Sequence, residues 1–159
     1  MYWVGLGMAL CVPAMAAPTP PKALLGCWSS VQSENHWDDG KTTPLRARCA
    51  RFFTGTRLHV SCRPPDGGGA SRVVFDYTLE SARTFSMHMV EQGQLAYASS
   101  YARPHEFKLA PGQLTVTSYP RLPKGQAGRS LIKTVSRFIA QPASTTPAEC
   151  VPAATETPR

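Results

Sequence analysis

Residues 72–79 read Arg72-Val73-Val74-Phe75-Asp76-Tyr77-Thr78-Leu79. Val73, Phe75, Tyr77 and Leu79 fall on one side of a two-residue repeat, and Arg72, Asp76 and Thr78 fall on the other. That is the pattern of an extended strand with one buried face. The segment before it, 57–63, sets Leu58, Val60 and Cys62 against Arg57, His59, Ser61 and Arg63. The segment after it, 83–90, sets Phe85, Met87 and Met89 against Thr84, Ser86 and His88. Over 94–103, Leu95, Tyr97, Ser99 and Tyr101 alternate with Ala96, Ala98 and Ser100. Further strands are expected over 24–31, 45–53, 106–110, 113–119 and 130–140. Asp39-Gly40, Thr54-Gly55, the run Pro64 to Gly69, Gln92-Gly93 and Pro111-Gly112 supply the turns between strands. No stretch holds a sustained 3.6-residue apolar period. The chain is therefore read as all-β, with eight or nine antiparallel strands at hairpin spacing. Such a meander closes into a barrel or packs as a sandwich to remove its unpaired edges.

The flanks of this region differ in composition. An apolar run ends in Ala14-Met15-Ala16, the small-x-small pattern of an export signal, so residues 1–16 are expected to be removed. The run is too short, and too close to Pro13 and Pro18, for a stable membrane span. Residues 17–23 form a Pro-rich linker, residues 24–140 the folded domain, and residues 141–159 a Pro/Ala/Thr-rich tail. The charge is +7, from 17 basic and 10 acidic side chains. In an exported chain this points to anionic neighbours such as envelope surfaces or acidic ligands, and away from nucleic acid. Removal of the signal leaves Cys27, Cys49, Cys62 and Cys150, an even number without a C-x-x-C pair. Two structural disulfides follow, with three connectivities open. One of these joins Cys49 to Cys62 across a hairpin. With Thr54-Gly55 as a two-residue loop, however, Cys49 faces Val60, and that bridge then needs a wider loop or a bulge. A cysteine in the polar tail indicates that the tail is tied back over the domain.

Gly26-Cys27-Trp28, at the head of the meander, resembles the G-x-W signature of the lipocalins and related calycin barrels. The resemblance implies an eight-stranded up-and-down barrel with Trp28 plugging its closed end and Gly26 allowing a close approach. It implies an arginine from the last strand, here Arg137, stacked on the Trp28 ring. It also implies a bridge from the tail to the barrel wall, Cys62–Cys150, which leaves Cys27–Cys49 between the first two strands.

In such a barrel Phe75, Tyr77, Phe85, Met87, Met89, Leu95, Tyr97, Ser99 and Tyr101 line the interior. They either fill it as core or hold one small apolar or amphiphilic molecule with a polar handle. An internal pocket bounded by Met87, Met89 and Tyr97 would favour the ligand. A filled interior would favour a protein-interaction module, an inhibitor or immunity type acting on an envelope or secreted protein. That module would act through the loop with His36, Trp37 and Asp38 and the basic loop with Arg121, Lys124 and Arg129. On the last strand neither parity is cleanly apolar, so Lys133 and Arg137 either face a ligand carboxylate or are turned to solvent by a bulge. The histidines lack metal-ligand spacing, and no nucleophile elbow, H-E-x-x-H pair or phosphate loop is present. The expectation is a periplasmic or secreted binding protein with no catalytic residues, no metal and no cofactor.

Overall fold

A computed structural model describes residues 18–91, 103–120 and 128–152. Nine strands follow one another: β1 (Gly26–Trp37), β2 (Thr42–Pro44), β3 (Arg48–Phe53), β4 (Arg57–Arg63), β5 (Ser71–Ser81), β6 (Thr84–Glu91), β7 (His105–Ala110), β8 (Gln113–Ser118) and β9 (Leu131–Ala140). Each pairs antiparallel with its neighbour in the order β2-β1-β3-β4-β5-β6-β7-β8-β9, and β1 also pairs with β9. The result is a closed eight-stranded up-and-down barrel, with β2 as an extra strand on β1. Closure removes the exposed edges that an open meander of this length would carry.

β1 is the closing element. Its first four residues pair with β3, residues Glu34 to His36 pair with β2, and nearly its whole length pairs with β9. Alternation ends the first strand at Val31 and places His36, Trp37 and Asp38 in the loop after it. The strand instead continues through a bulge at Val31, where Ser30 faces Phe138 and Gln32 faces Arg137. The bulge inserts one residue, so the inward set changes from Trp28 and Ser30 to Ser33 and Asn35. His36 and Trp37 are thus strand residues. The strand expected over 94–103 falls mostly outside the described residues, and β6 meets β7 only at Thr84–Glu106 and Phe85–His105.

One end of the barrel is packed solid. A short 3-10 turn, Lys22–Leu24, brings the fully buried Leu24 under the base. The Trp28 indole N–H donates to the Leu24 carbonyl at 2.8 Å, which satisfies the one polar atom of the plug. Phe53, Leu58, Phe85, Leu114, Val116 and Phe138 complete the core, all essentially inaccessible. Phe53, Tyr77 and Phe85 meet edge to face, with centroids 5.4 to 6.1 Å apart. The Tyr77 hydroxyl donates to the Thr54 carbonyl at 2.7 Å, pinning the β3–β4 turn to β5. Gly26 has φ +105°, yet a Cβ there would meet nothing within 4 Å. Its role is the backbone angle that starts β1, and not a close approach.

Both disulfides depart from the family expectation. The bridges are Cys27–Cys150 and Cys49–Cys62. The hairpin bridge needs no bulge, because Thr54 pairs with Arg57 through its backbone and side chain, making Gly55-Thr56 the two loop residues. Moving the turn by one residue moves the register by two, and Cys49 then faces Cys62 directly. The tail bridge is anchored at the first strand. Gln141 N–H donates to the Cys27 carbonyl, and residues up to Cys150 cross the outer wall, where Cys27, Ala50 and Cys150 pack with Phe52. Arg72 on β5 holds the Ala148 carbonyl at 2.7 Å. The tail is tied back as expected, but to Cys27 and not to Cys62.

Candidate functional site in the barrel mouth

Five of the predicted lining residues lie where alternation placed them. Phe75, Tyr77 and Phe85 belong to the buried core, and Met87 and Met89 are half-buried against it. Leu95, Tyr97, Ser99 and Tyr101 lie outside the described residues. Phe75, Tyr77 and Phe85 act as packing, because their neighbours close over them. Met87 and Met89 sit higher, with Val60 and Val73, toward the end of the barrel opposite Trp28. The Cys49–Cys62 bridge shares their inward parity and caps this apolar side.

The facing side of the mouth is polar. On β9 the inward parity is Thr134, Ser136 and Phe138, so Lys133 and Arg137 point outward by register and no bulge on β9 is required to place them there. Ser33 Oγ donates to Ser136 Oγ at 2.9 Å, and Thr134 Oγ1 donates to Asn35 Oδ1 at 2.8 Å. On the next pair of strands His105 Nδ1 lies 2.8 Å from Ser118 Oγ, with the imidazole stacked on Phe85 at 5.0 Å. Burial, together with the Arg51 positive charge, lowers the His105 pKa to about 3, so the ring is neutral. The pKa of Tyr77 moves the other way, raised to about 12 by burial, so it remains a hydroxyl donor. The mouth therefore has a thioether, aliphatic and disulfide wall, interrupted by the inward Arg51 beside Val60, opposite a wall of short hydroxyls and an amide.

Arg137 does not stack on Trp28. It is exposed and donates to Gln32 Oε1 at 3.1 Å. The residue across from Trp28 in the β1–β3 register is Arg51, whose guanidinium carbon lies 5.1 Å from the Phe138 ring centroid. The inward parity of β3 could have identified it, since Arg51 lies two residues before the core residue Phe53. The polar wall was hidden from sequence reading for a different reason. Ser33 and Asn35 follow the bulge, which breaks the two-residue period.

The surface offered for a protein partner is largely self-engaged. The Trp37 indole donates to Thr43 Oγ1 at 2.9 Å. Arg129 covers the Trp37 ring at 5.0 Å and approaches Asp39 at 3.6 Å, which helps to hold the Asp39 pKa below its usual value after a backbone hydrogen bond from Lys41. Arg121 and Lys124 lie outside the described residues. Among the described residues, two clefts of about 390 and 470 Å³ lie on the outer wall, and both border the tail. No group of three or more potential metal ligands occurs among the described residues. No described helix is long and apolar enough to cross a membrane.

The geometry defines a class: a closed antiparallel eight-stranded barrel, tryptophan-plugged at one end and stapled by two disulfides, compatible with a lipocalin-like fold. Comparisons with protein-family models, with curated proteins and with solved structures found no match.

Proposed function

We propose that this is an exported, non-enzymatic binding protein that holds one small amphiphilic molecule in the upper half of its barrel. The observation that carries the reading is the two-faced mouth, with Val60, Met87 and Met89 opposite Ser33, Asn35, Thr134 and Ser136. Methionine walls adapt to irregular apolar shapes, and a row of hydroxyls orients a single polar head. Because the base from Leu24 to Phe85 is packed, a ligand would have to lie in the upper half, which would limit its size. Export is supported by the small-x-small run before residue 17 and by the two disulfides, which persist in oxidising compartments. The protein-interaction reading takes second place, because the Trp37 and Arg129 side chains already engage one another.

Native mass spectrometry of protein purified from its own compartment tests the proposal by showing a retained small molecule. A neutral-headed probe, 1-decanol, should bind the purified protein saturably at one site. Met87→Trp, which fills the mouth, should weaken that binding at least tenfold while the fold persists. Equal decanol binding by the wild type and Met87→Trp would overturn the site.

A further inference from the structure

We propose a second site, on the outer wall, that binds a phosphate-headed amphiphile across Arg48 and Arg63. These two arginines are direct cross-strand partners on β3 and β4, and both lie on the outward parity, opposite to Val60 and Phe53. Like charges facing each other across a ladder are destabilising, so this arrangement does not contribute to the stability of the sheet. No carboxylate relieves it: among the described residues, the ion pairs use Glu34, Asp39 and Asp76, and none reaches Arg48 or Arg63. The Nε of Arg63 is buried without a hydrogen-bond acceptor among the described residues. Two outward arginines on directly paired residues, neither in an ion pair among the described residues, offer charge-assisted N–H donors to a phosphate group.

The apolar half of the ligand has its own place. Arg48 lines the 390 Å³ cleft together with Ser29, Val31, Ile139 and Val151, a volume in the ~300–1,000 Å³ range of small-molecule sites. This cleft opens where the β1–β3 pairing stops at Ser29–Ala50 and the tail crosses. Val31 is 60% exposed and Ile139 44% exposed, which sets aliphatic surface beside the charged pair. The bulge that re-aims β1 also pushes Val31 outward, so one irregularity serves both the mouth and this shelf. The head lies across the arginines and a short acyl chain lies along Val31 and Ile139.

The test uses calorimetry and amide chemical shifts in the Met87→Trp background, where the mouth is filled. Dihexanoyl phosphatidate, kept below micelle formation, should bind saturably at 1:1 and shift amides around Arg48, Arg63 and Val31. Dihexanoyl phosphatidylcholine, whose head carries no net charge, should bind at least tenfold more weakly. Arg48→Gln and Arg63→Gln should each lose tenfold or more without lowering the melting temperature, because each relieves a repulsion. Val31→Asp should weaken phosphatidate at least tenfold and leave inorganic phosphate unchanged. Binding by the double glutamine variant within twofold of its parent would overturn the proposal, as would phosphatidate titrations that never saturate. Equal affinity for inorganic phosphate and phosphatidate would overturn the lipid assignment in favour of free phosphate. Failure of the decanol test in the mouth has no bearing on this result, since no residue is shared between the two sites.

Discussion

Between pH 8 and pH 5, acid should destabilise this barrel chiefly through His105. Its side chain is 1% exposed, stacked on Phe85 and hydrogen-bonded to Ser118, with Arg51 adding like-charge repulsion to any proton it takes up. Its pKa is about 3 in the folded protein, against ~6.5 when the chain is unfolded and solvated. The sign follows from which state binds the proton. Above pH 6.5 the ring is neutral in both states and contributes no pH dependence. Below it, the unfolded chain takes up a proton that the native barrel refuses, so stability falls as pH falls, down to about 3. Each pH unit in that window costs about 1.4 kcal/mol. Between pH 8 and pH 5 the loss is therefore about 2 kcal/mol, a sizeable share of the ~5–15 kcal/mol that holds a domain together. Urea unfolding of the wild type and His105→Gln at pH 8, 6.5, 5.5 and 5 measures it. The variant should start less stable, because it loses the stacked ring, but its stability should decline less steeply by about 2 kcal/mol over the range. Parallel declines, or a His105 imidazole NMR signal in the folded protein that titrates near 6.5, would refute the reasoning.

The plug and the staples give two further expectations. Trp28→Ala should destabilise the barrel by about 3–5 kcal/mol in chemical unfolding, whereas Arg137→Ala, at an exposed site, should stay within about 0.5 kcal/mol of wild type. Equal effects would restore the family's placement of Arg137 against the plug. Peptide mapping of unreduced protein should recover Cys27–Cys150 and Cys49–Cys62. Replacing the first pair by serine should cost about 5 kcal/mol and the second about 3 kcal/mol, since the sequence separations are 123 and 13 residues. A larger loss from the hairpin pair would show that the tail bridge constrains the unfolded chain less than its span implies.

How far the sequence reached can be traced through particular residues. Phe75, Tyr77, Phe85, Met87 and Met89 were placed correctly because each strand carries its own two-residue period, a local property that needs no partner. The even cysteine number and the tied-back tail were also legible, and the G-x-W resemblance implied the Trp28 plug. The polar wall of the mouth was not. Ser33 and Asn35 look like loop residues until β9 pairs with them and the bulge at Val31 resets their direction.

Sequence alone determined that this chain is an antiparallel β meander with two disulfides; the plug at Trp28 came only from the resemblance of Gly26-Cys27-Trp28. Alternation, turn residues and residue counts are written into short stretches and survive without knowledge of the whole. Only the tertiary structure decided which strand faces which residue. The hairpin register turned on whether Thr54-Gly55 or Gly55-Thr56 makes the loop, a choice settled by the Thr54 hydrogen bonds to Arg57 and by Tyr77 holding the turn from the next strand. From that one-residue difference came the Cys49–Cys62 bridge and, by elimination, the bridge from Cys150 to Cys27. The same register set Arg48 against Arg63 on the outer wall. The β1–β9 register is a relation between strands distant in the chain, so no local pattern encodes it. Packing of the inward set around Trp28 and Phe53 fixes it when the barrel closes.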